Sequence, residues 1–195
     1  MDHAKMRAIA EQLTAYAEHL EGSREVEIGP SGPFLAMMSR SKRHAGTVRC
    51  LRNQLNDQLS TTHPGYVCEN GPKIEHPAIG RMRRPDAVVI PEDVLDEEGL
   101  AVDARQVLAV IEIVSPSNPN NDYSEKLAKY PAMGIPHYMI VDPRTSTIEA
   151  HSAPCKDRYQ DKDPHIFGDT VPFGPWSLET SAFRRYGKAG ADSQR

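Results

Sequence analysis

A single acidic residue inside an apolar run is the feature that most constrains this sequence. The run spans residues 107–114 and is apolar at every position except Glu112. Such near-continuous apolar character is typical of a central strand that is covered on both faces. Burying a carboxylate is costly unless it has a partner or a metal. The run therefore predicts a central strand with a satisfied acid near its C-terminal end, where open α/β sheets place their sites.

The segments around this strand predict one α/β domain. We expect amphipathic helices over residues 3–20 and 44–59, because apolar residues recur there at spacings of three and four. A helix over 121–130 and a buried strand over 138–141 complete a strand–helix–strand unit. The polar segment 160–165 is expected to be a loop. Further strands are predicted at residues 26–28, 34–38, 66–68, 73–74, 82–90, 148–152, 171–173 and 176–178.

Length and composition limit the classes of protein. The 195 residues suit one domain over 1–187, followed by a flexible tail over 188–195. The formal net charge of -4 gives no overall basic surface, although a local basic patch is compatible with it. Three well-separated cysteines form no C-x-x-C pair, which favours a reducing cytoplasm over a disulfide framework or a zinc site. No apolar run reaches membrane-spanning length, so we expect no membrane association.

A second acid lies in another apolar run, R-R-P-D-A-V-V-I, where Asp86 follows Pro85. Two acids on two neighbouring apolar strands are the ligands that a hard divalent cation such as Mg²⁺ takes, together with waters and phosphate oxygens. A metal held there could polarise a phosphodiester and lower the pKa of a bound water. Each acid also has a structural alternative. Glu112 could pair with an arginine of the 81–84 cluster, and Asp86 could be a turn acid at a strand edge.

A lysine on the following helix could complete this set. Lys126 lies one helical turn after Asp122, and from there it could reach back over the strand end. Its charge would then stabilise negative charge developing on a phosphate. The alternative is an ordinary surface ion pair between Lys126 and Asp122, which are spaced i,i+4.

Three segments together resemble a known family. They are R-R-P-D-A-V-V-I, then V-I-E-I-V-S-P-S-N-P-N-N-D-Y-S-E-K-L-A-K-Y, then M-G-I-P-H-Y-M-I-V-D-P-R. This set resembles the Uma family of restriction-endonuclease-like proteins, a branch of the PD-(D/E)XK nuclease superfamily. The likeness is strong over residues 83–144, looser over 26–59 and slight after Ala150. It implies a restriction-endonuclease-like α/β fold, a central mixed β-sheet flanked by helices, with the metal site at the end of two strands.

The resemblance assigns roles to particular residues. Asp86 matches the Asp of the P-D element, and Glu112 matches the acid of the second element. The sequence departs from the superfamily pattern at Val114, where the simple motif has its lysine. The Uma-like pattern supplies a lysine from the following helix instead, and Lys126 occupies that position.

The N-terminal part of the family pattern contributes an acid and a histidine. Glu27 and His44 match these positions, and the resemblance implies a catalytic role for Glu27. Glu25 is the competing acid, because G-P-S-G-P replaces the turn usually found here. His44 could equally be a hydrogen-bonding residue at the start of its helix. Ser115 and Asp122 are expected to support the site from the loop and helix that follow the central strand.

The function implied is a Mg²⁺- or Mn²⁺-dependent endonuclease that hydrolyses phosphodiester bonds of nucleic acid, with DNA as the expected partner. Cutting two strands needs two sites, which favours a homodimer. Two alternatives stay open. One is a catalytically inactive binding or assembly module, which Val114 and the acidic net charge favour. The other is a metal-dependent hydrolase of small phosphoesters.

Overall fold

The computed structural model describes residues 2–20, 24–29, 31–37, 41–99, 101–115 and 121–186. The α-helices are α1 (His3–Ala17), α2 (Lys42–Thr62) and α3 (Leu127–Ala132). Short 3₁₀ segments cover Pro77–Ile79, Glu92–Asp96 and Ala104–Gln106, and a π-helical segment covers Asn121–Lys126. The strands are β1 (Arg24–Gly29), β2 (Gly32–Met37), β3 (Tyr66–Glu69), β4 (Lys73–His76), β5 (Arg81–Arg83), β6 (Ala87–Pro91), β7 (Ala101–Asp103), β8 (Ala109–Ile113), β9 (His137–Asp142), β10 (Thr147–Cys155), β11 (Arg158–Ile166), β12 (Thr170–Phe173) and β13 (Trp176–Glu179).

The larger sheet has six strands in the order β11-β10-β9-β8-β6-β3. β8 lies inside this sheet, parallel to β9 and antiparallel to β6, and each of its five residues is buried. Ala109 and Ile111 pack in a core that includes Leu51 and Leu55 of α2. Val110 packs in a second core on the opposite face, together with residues of α3. The predicted central strand, covered on both faces, is therefore confirmed.

The predicted strand–helix–strand unit is also confirmed, because a helical segment connects the parallel strands β8 and β9. Its helix does not end at Pro131. α3 continues to Ala132, and the backbone N–H of Met133 still donates to the carbonyl of Lys129. A proline near the end of so short a helix forfeits little, because few helical hydrogen bonds remain to be broken there.

The smaller sheet has the order β2-β1-β5-β4-β7, and α1 packs on it through Met6 and Ala10. The prediction of one strand over residues 82–90 is wrong. β5 ends at Arg83 in this smaller sheet, whereas β6 begins at Ala87 in the larger one. Pro85 has no N–H to donate to a ladder, so the chain leaves one sheet there and enters the other. Asp86 therefore lies at the crossover between the two sheets.

The prediction of a loop over residues 160–165 is also wrong, because this segment belongs to β11. β11 pairs with β10 and forms an edge of the larger sheet, where charged side chains and a proline are tolerated. The predicted strands near the C-terminus exist, but β12 and β13 form a separate hairpin. Side chains of Gln54 and Gln58 on α2 bind the backbone of β13.

Two further observations concern the whole described chain. Cys50, Cys68 and Cys155 are all free thiols. Among the residues that the structure covers, no helix combines the length and apolarity needed to cross a membrane.

The packing of α2 on the larger sheet gives the first prediction. Leu55 is fully buried, so Leu55→Ala should lower the free energy of unfolding by about 2–5 kcal/mol through lost burial and a residual cavity. Urea denaturation measures this change. Asn53→Ala is the matched control, because Asn53 is exposed on the same helix and its replacement should change stability by about 0.5 kcal/mol or less. Equal effects of the two substitutions would contradict this packing.

Candidate functional site

Asp86 is the residue that connects the crossover to the central strand. Ala87 lies opposite Ile111 in the β6–β8 ladder, so one further step of this register places Asp86 opposite Glu112. Asp86 Oδ2 accepts a hydrogen bond from the backbone N–H of Ile113 at 2.8 Å, and Oδ1 lies 2.9 Å from His44 Nε2. Glu112 therefore lies on β8 and Asp86 immediately before the neighbouring strand β6, near the C-terminal end of β8.

The charge of Asp86 is stabilised by its surroundings. Burial by itself would raise the pKa of this carboxyl, but the hydrogen bond and the charge of His44 act in the opposite direction. The charge of Lys126 and the N–H of Ile113 add to this effect, and the net result is a pKa below the ordinary value for aspartate. Asp86 is therefore an anion at neutral pH.

His44 reaches the site from the first turn of α2. Ser41 caps this helix by accepting the backbone N–H of His44 at 3.1 Å, which leaves the imidazole ring to contact Asp86. The ring is buried, and its Nδ1 has no hydrogen-bond partner among the residues that the structure describes. The backbone of His44 thus serves the helix start, as the alternative interpretation expected, while its side chain belongs to the site.

Glu112 is buried within the larger sheet, with 3 % of its side chain exposed. Its Oε1 lies 2.8 Å from Lys126 Nζ and accepts a hydrogen bond from the Tyr130 hydroxyl at 2.5 Å. Lys126 thus reaches back to the strand end, as its position on the helical segment suggested. An ion pair and a hydrogen bond together offset the cost of burying the carboxylate.

Tyr130 is a site residue that the sequence interpretation missed. It is fully buried, and burial followed by the charge of Glu112 raises the pKa of its phenol well above the ordinary value. The hydroxyl is therefore always a donor. The sequence signal was the spacing of four between Lys126 and Tyr130, which places both on one side of the helical segment.

Glu27 is buried on β1, in the smaller sheet. Its Oε1 accepts the backbone N–H of Arg84 at 3.3 Å, and its Oε2 lies 3.6 Å from Arg83 Nε. Arg83 is itself fully buried and donates from Nη1 to the carbonyls of Ile28 and Met82. The alternative pairing of this arginine cluster with Glu112 is thus replaced by a pairing of Arg83 with Glu27.

The other candidates contribute less. Glu25, the competing acid, forms an ion pair with the guanidinium of Arg84. Ser115 is half-buried and lies two residues beyond the end of β8. The side chain of Asp122 lies outside the described residues, and so does residue range 116–120. The alternative ion pair between Asp122 and Lys126 is therefore left open.

The donor set can be compared with the needs of a metal ion. Within the described ranges, no three His, Cys, Asp or Glu side chains are grouped closely enough to hold a metal. A closed zinc site needs about four such ligands, whereas Mg²⁺ is bound by one or two carboxylates with water and substrate oxygens. Asp86 and Glu112 on adjoining strands fit the second pattern and not the first.

The mixed sheet between helices, with acids where β6 and β8 adjoin, places the chain among restriction-endonuclease-like nuclease folds. A crystal structure titled "putative nuclease belonging to DUF820" from Anabaena variabilis is similar to it, with a TM-score of 0.59 and 14 % sequence identity. The similarity covers 80 % of this chain and 86 % of that one, and it confirms the predicted fold.

The sequence itself matches a family model. Residues 10–176 match Uma2, described as "Putative restriction endonuclease". The chain belongs to this family, and the resemblance seen in the sequence is confirmed. The comparison with curated proteins gives no match. Family and fold together support a nuclease class.

The contact between Tyr130 and Glu112 gives the second prediction. Tyr130→Phe removes a donor to a buried carboxylate and should lower the free energy of unfolding by about 1.5–3 kcal/mol. Tyr159→Phe is the matched control, because the Tyr159 hydroxyl donates to the uncharged carbonyl of Ile135 at 2.9 Å and should cost about 1 kcal/mol. Guanidinium denaturation compares the two. A smaller loss for Tyr130→Phe than for its control would contradict a charged acceptor.

The contact between His44 and Asp86 gives the third prediction. In His44→Ala the pKa of Asp86 should rise, because the raising effect of burial is then opposed by Lys126 and Ile113 without His44. Carbon-13 NMR titration of the Asp86 carboxyl measures this pKa. Lys42→Ala, an exposed change on the same helix, is the control and should leave it unaltered. An unchanged Asp86 pKa in His44→Ala would show that the histidine does not stabilise the anion.

Proposed function

We propose that this chain is a divalent-metal-dependent endonuclease that hydrolyses phosphodiester bonds of DNA. The observation that carries the proposal is the meeting of two acids and a lysine at the end of β8. Asp86 lies next to Glu112 in the ladder register, and Lys126 Nζ lies 2.8 Å from Glu112 Oε1. Acids on adjoining strands and one nearby ammonium suit phosphoryl chemistry, which depends on positioning and charge stabilisation.

Asp86 and Glu112 are the residues that would hold Mg²⁺ or Mn²⁺. When bound, the metal polarises a phosphoryl oxygen and lowers the pKa of a coordinated water. His44 orients Asp86 through the Nε2 contact, and Tyr130 orients Glu112 through its hydroxyl. Both acids are thus held in one rotamer before substrate arrives.

Lys126 is the electrostatic catalyst in this proposal. Its ammonium lies at the carboxylate of Glu112, one of the two proposed metal ligands. There a positive charge would stabilise the negative charge of the transition state. Because a lysine is a compact charge on a flexible stem, it can act from the helix as well as from position 114 of the strand. Because Lys126 is buried, its charge lies in a region of low dielectric, where electrostatic interactions are stronger.

Three further residues are assigned supporting roles. Glu27 fixes the crossover by accepting the N–H of Arg84, two residues before Asp86. Ser115 follows β8, and Asp122 lies in the helical segment that carries Lys126. We assign Ser115 and Asp122 to the border of the site. We also propose that the chain forms a homodimer, because cutting both strands of DNA needs two sites.

The fourth prediction tests the nuclease directly. With Mg²⁺ or Mn²⁺, the wild-type protein should convert supercoiled plasmid to nicked and linear forms, and chelation should stop the reaction. Asp86→Asn and Glu112→Gln each remove a ligand charge and should reduce cleavage by about 100-fold or more. Gel electrophoresis over time measures the rates.

The matched control for these variants is Asp103→Asn. Asp103 is an acid of the smaller sheet that pairs with Arg105, so its replacement should leave cleavage within about twofold of wild type. Cleavage that persists in Asp86→Asn or Glu112→Gln would refute the assignment of the acids. Equal losses in Asp103→Asn would point to instability instead.

A catalytically inactive binding module is the second candidate, and one observation favours it. Both oxygens of Asp86 already accept hydrogen bonds, and Glu112 Oε1 already serves two donors. Such contacts could hold the fold together without any metal. Calorimetric titration with Mg²⁺ and Mn²⁺ separates the candidates, because no binding at millimolar concentration would favour the module.

A further inference from the structure

A cleft opens beside Asp86, on the side of α2. It measures about 260 Å³, and Asp86 and His44 contribute to its lining. Arg49, Arg52 and Asn70 line it as well. The cleft therefore connects the candidate catalytic acid with two arginines of one helix.

The two arginines differ in how many contacts they already make within the protein. Arg49 is exposed and has neither an ion pair nor a hydrogen bond among the described residues. Arg52 is half-exposed, and its Nη1 lies 3.3 Å from Glu69 Oε2 and 3.1 Å from Asn70 Oδ1. The Arg49 guanidinium is thus available to bind an anion. Arg52 could exchange its partners at little cost, because an exposed ion pair contributes little to stability.

Positive charge is concentrated on this part of an otherwise acidic protein. The first half of α2 contains Lys42, Arg43, Arg49 and Arg52 and no acid, while the whole chain has a net charge of -4. Along the helix, His44 stands between the first pair and the second pair of these cations. His44, whose ring contacts Asp86, therefore belongs to the basic half of this helix.

The C-terminal segment adds to the same surface. Arg43 Nη1 donates to the carbonyl of Arg185 at 2.7 Å, and Arg185 Nε donates to the carbonyl of Arg144 at 2.9 Å. Burial and then the charge of Asp86 raise the pKa of the next residue, Tyr186. Arg43 and Arg185 therefore lie together near the start of α2, the helix whose Arg49 and Arg52 line the cleft.

We infer that a basic rim binds the phosphate backbone of duplex DNA and directs one phosphate into the cleft at Asp86. The rim consists of Arg49 and Arg52, which line the cleft, together with Arg43 and Arg185 near the start of α2. Guanidinium groups match phosphate oxygens with two parallel hydrogen bonds, and contacts to successive phosphates position a duplex without reading its sequence. The inference rests on the proposed nuclease function for its choice of ligand. It concerns binding, which can be measured without cleavage.

The fifth prediction uses binding in the presence of a chelator, so that no cleavage takes place. Fluorescence anisotropy with a labelled 20-base-pair duplex measures affinity across a series of salt concentrations. Arg49→Gln together with Arg52→Gln should weaken binding at least tenfold. The dependence of log K on log salt should become shallower by about 2, because each lost phosphate contact removes roughly 0.9 from the slope.

The matched control is Arg105→Gln together with Arg158→Gln. Both arginines are exposed, one after β7 of the smaller sheet and one on the edge strand β11, so the change in net charge is the same. This control should bind within about twofold of wild type. Arg49→Gln alone, which breaks no contact within the described residues, should weaken binding with an unchanged melting temperature. Arg49→Lys should restore part of the affinity.

Three results would overturn the inference. The first is wild-type affinity in the rim variant, and the second is an equal loss in the control. The third is displacement of the duplex by polyglutamate at equal charge concentration, which would indicate an acidic protein segment as the ligand. If the Arg49→Gln, Arg52→Gln variant loses binding but the wild type cuts no plasmid, the inference about DNA binding is supported and the nuclease proposal is refuted.

Discussion

The burial of Glu112 is the constraint on which the rest of this structure depends. A carboxylate inside a central strand must be neutralised by donors from another element, because water cannot reach it. Lys126 and Tyr130 supply them, and both lie on the helical connection between β8 and β9. The acid therefore fixes how that connection packs on the sheet. The same contacts bring the Lys126 ammonium to the strand end. The group that stabilises the buried carboxylate is therefore also the candidate catalytic group.

A second buried charge pair stands on the other side of the crossover. Arg83 and Glu27 belong to the smaller sheet, and the N–H of Arg84 also reaches Glu27. Asp86 follows directly and is tied to the larger sheet by Ile113 and to α2 by His44. Hydrogen bonds to charged groups are stronger than neutral ones, so the segment that joins the sheets is held firmly at both ends.

Much of this could be predicted from the sequence where the pattern is local. The apolar run around Glu112 predicted a central strand, and the P-D element placed Asp86 beside it. Prediction failed where tertiary context decides the outcome. A charged, proline-containing segment became β11 because an edge strand needs pairing on one side only. The sequence left open a pairing of the 81–84 arginine cluster with Glu112, whereas Arg83 is buried beside Glu27. Tyr130 looked like any packing aromatic, because its acceptor lies 18 residues away in sequence.

The position of Asp86 at the crossover has a mechanical consequence. Glu112 belongs to the larger sheet, whereas Asp86 ends the segment that leaves the smaller sheet. Because the Asp86 carboxylate accepts the N–H of Ile113, a movement of the smaller sheet would have to strain this hydrogen bond before it could separate the two acids. α1 packs on the smaller sheet through Met6 and Ala10 and reaches Glu75 through His3 and Arg7. The N-terminal helix is thus connected to Asp86 through the smaller sheet and the crossover.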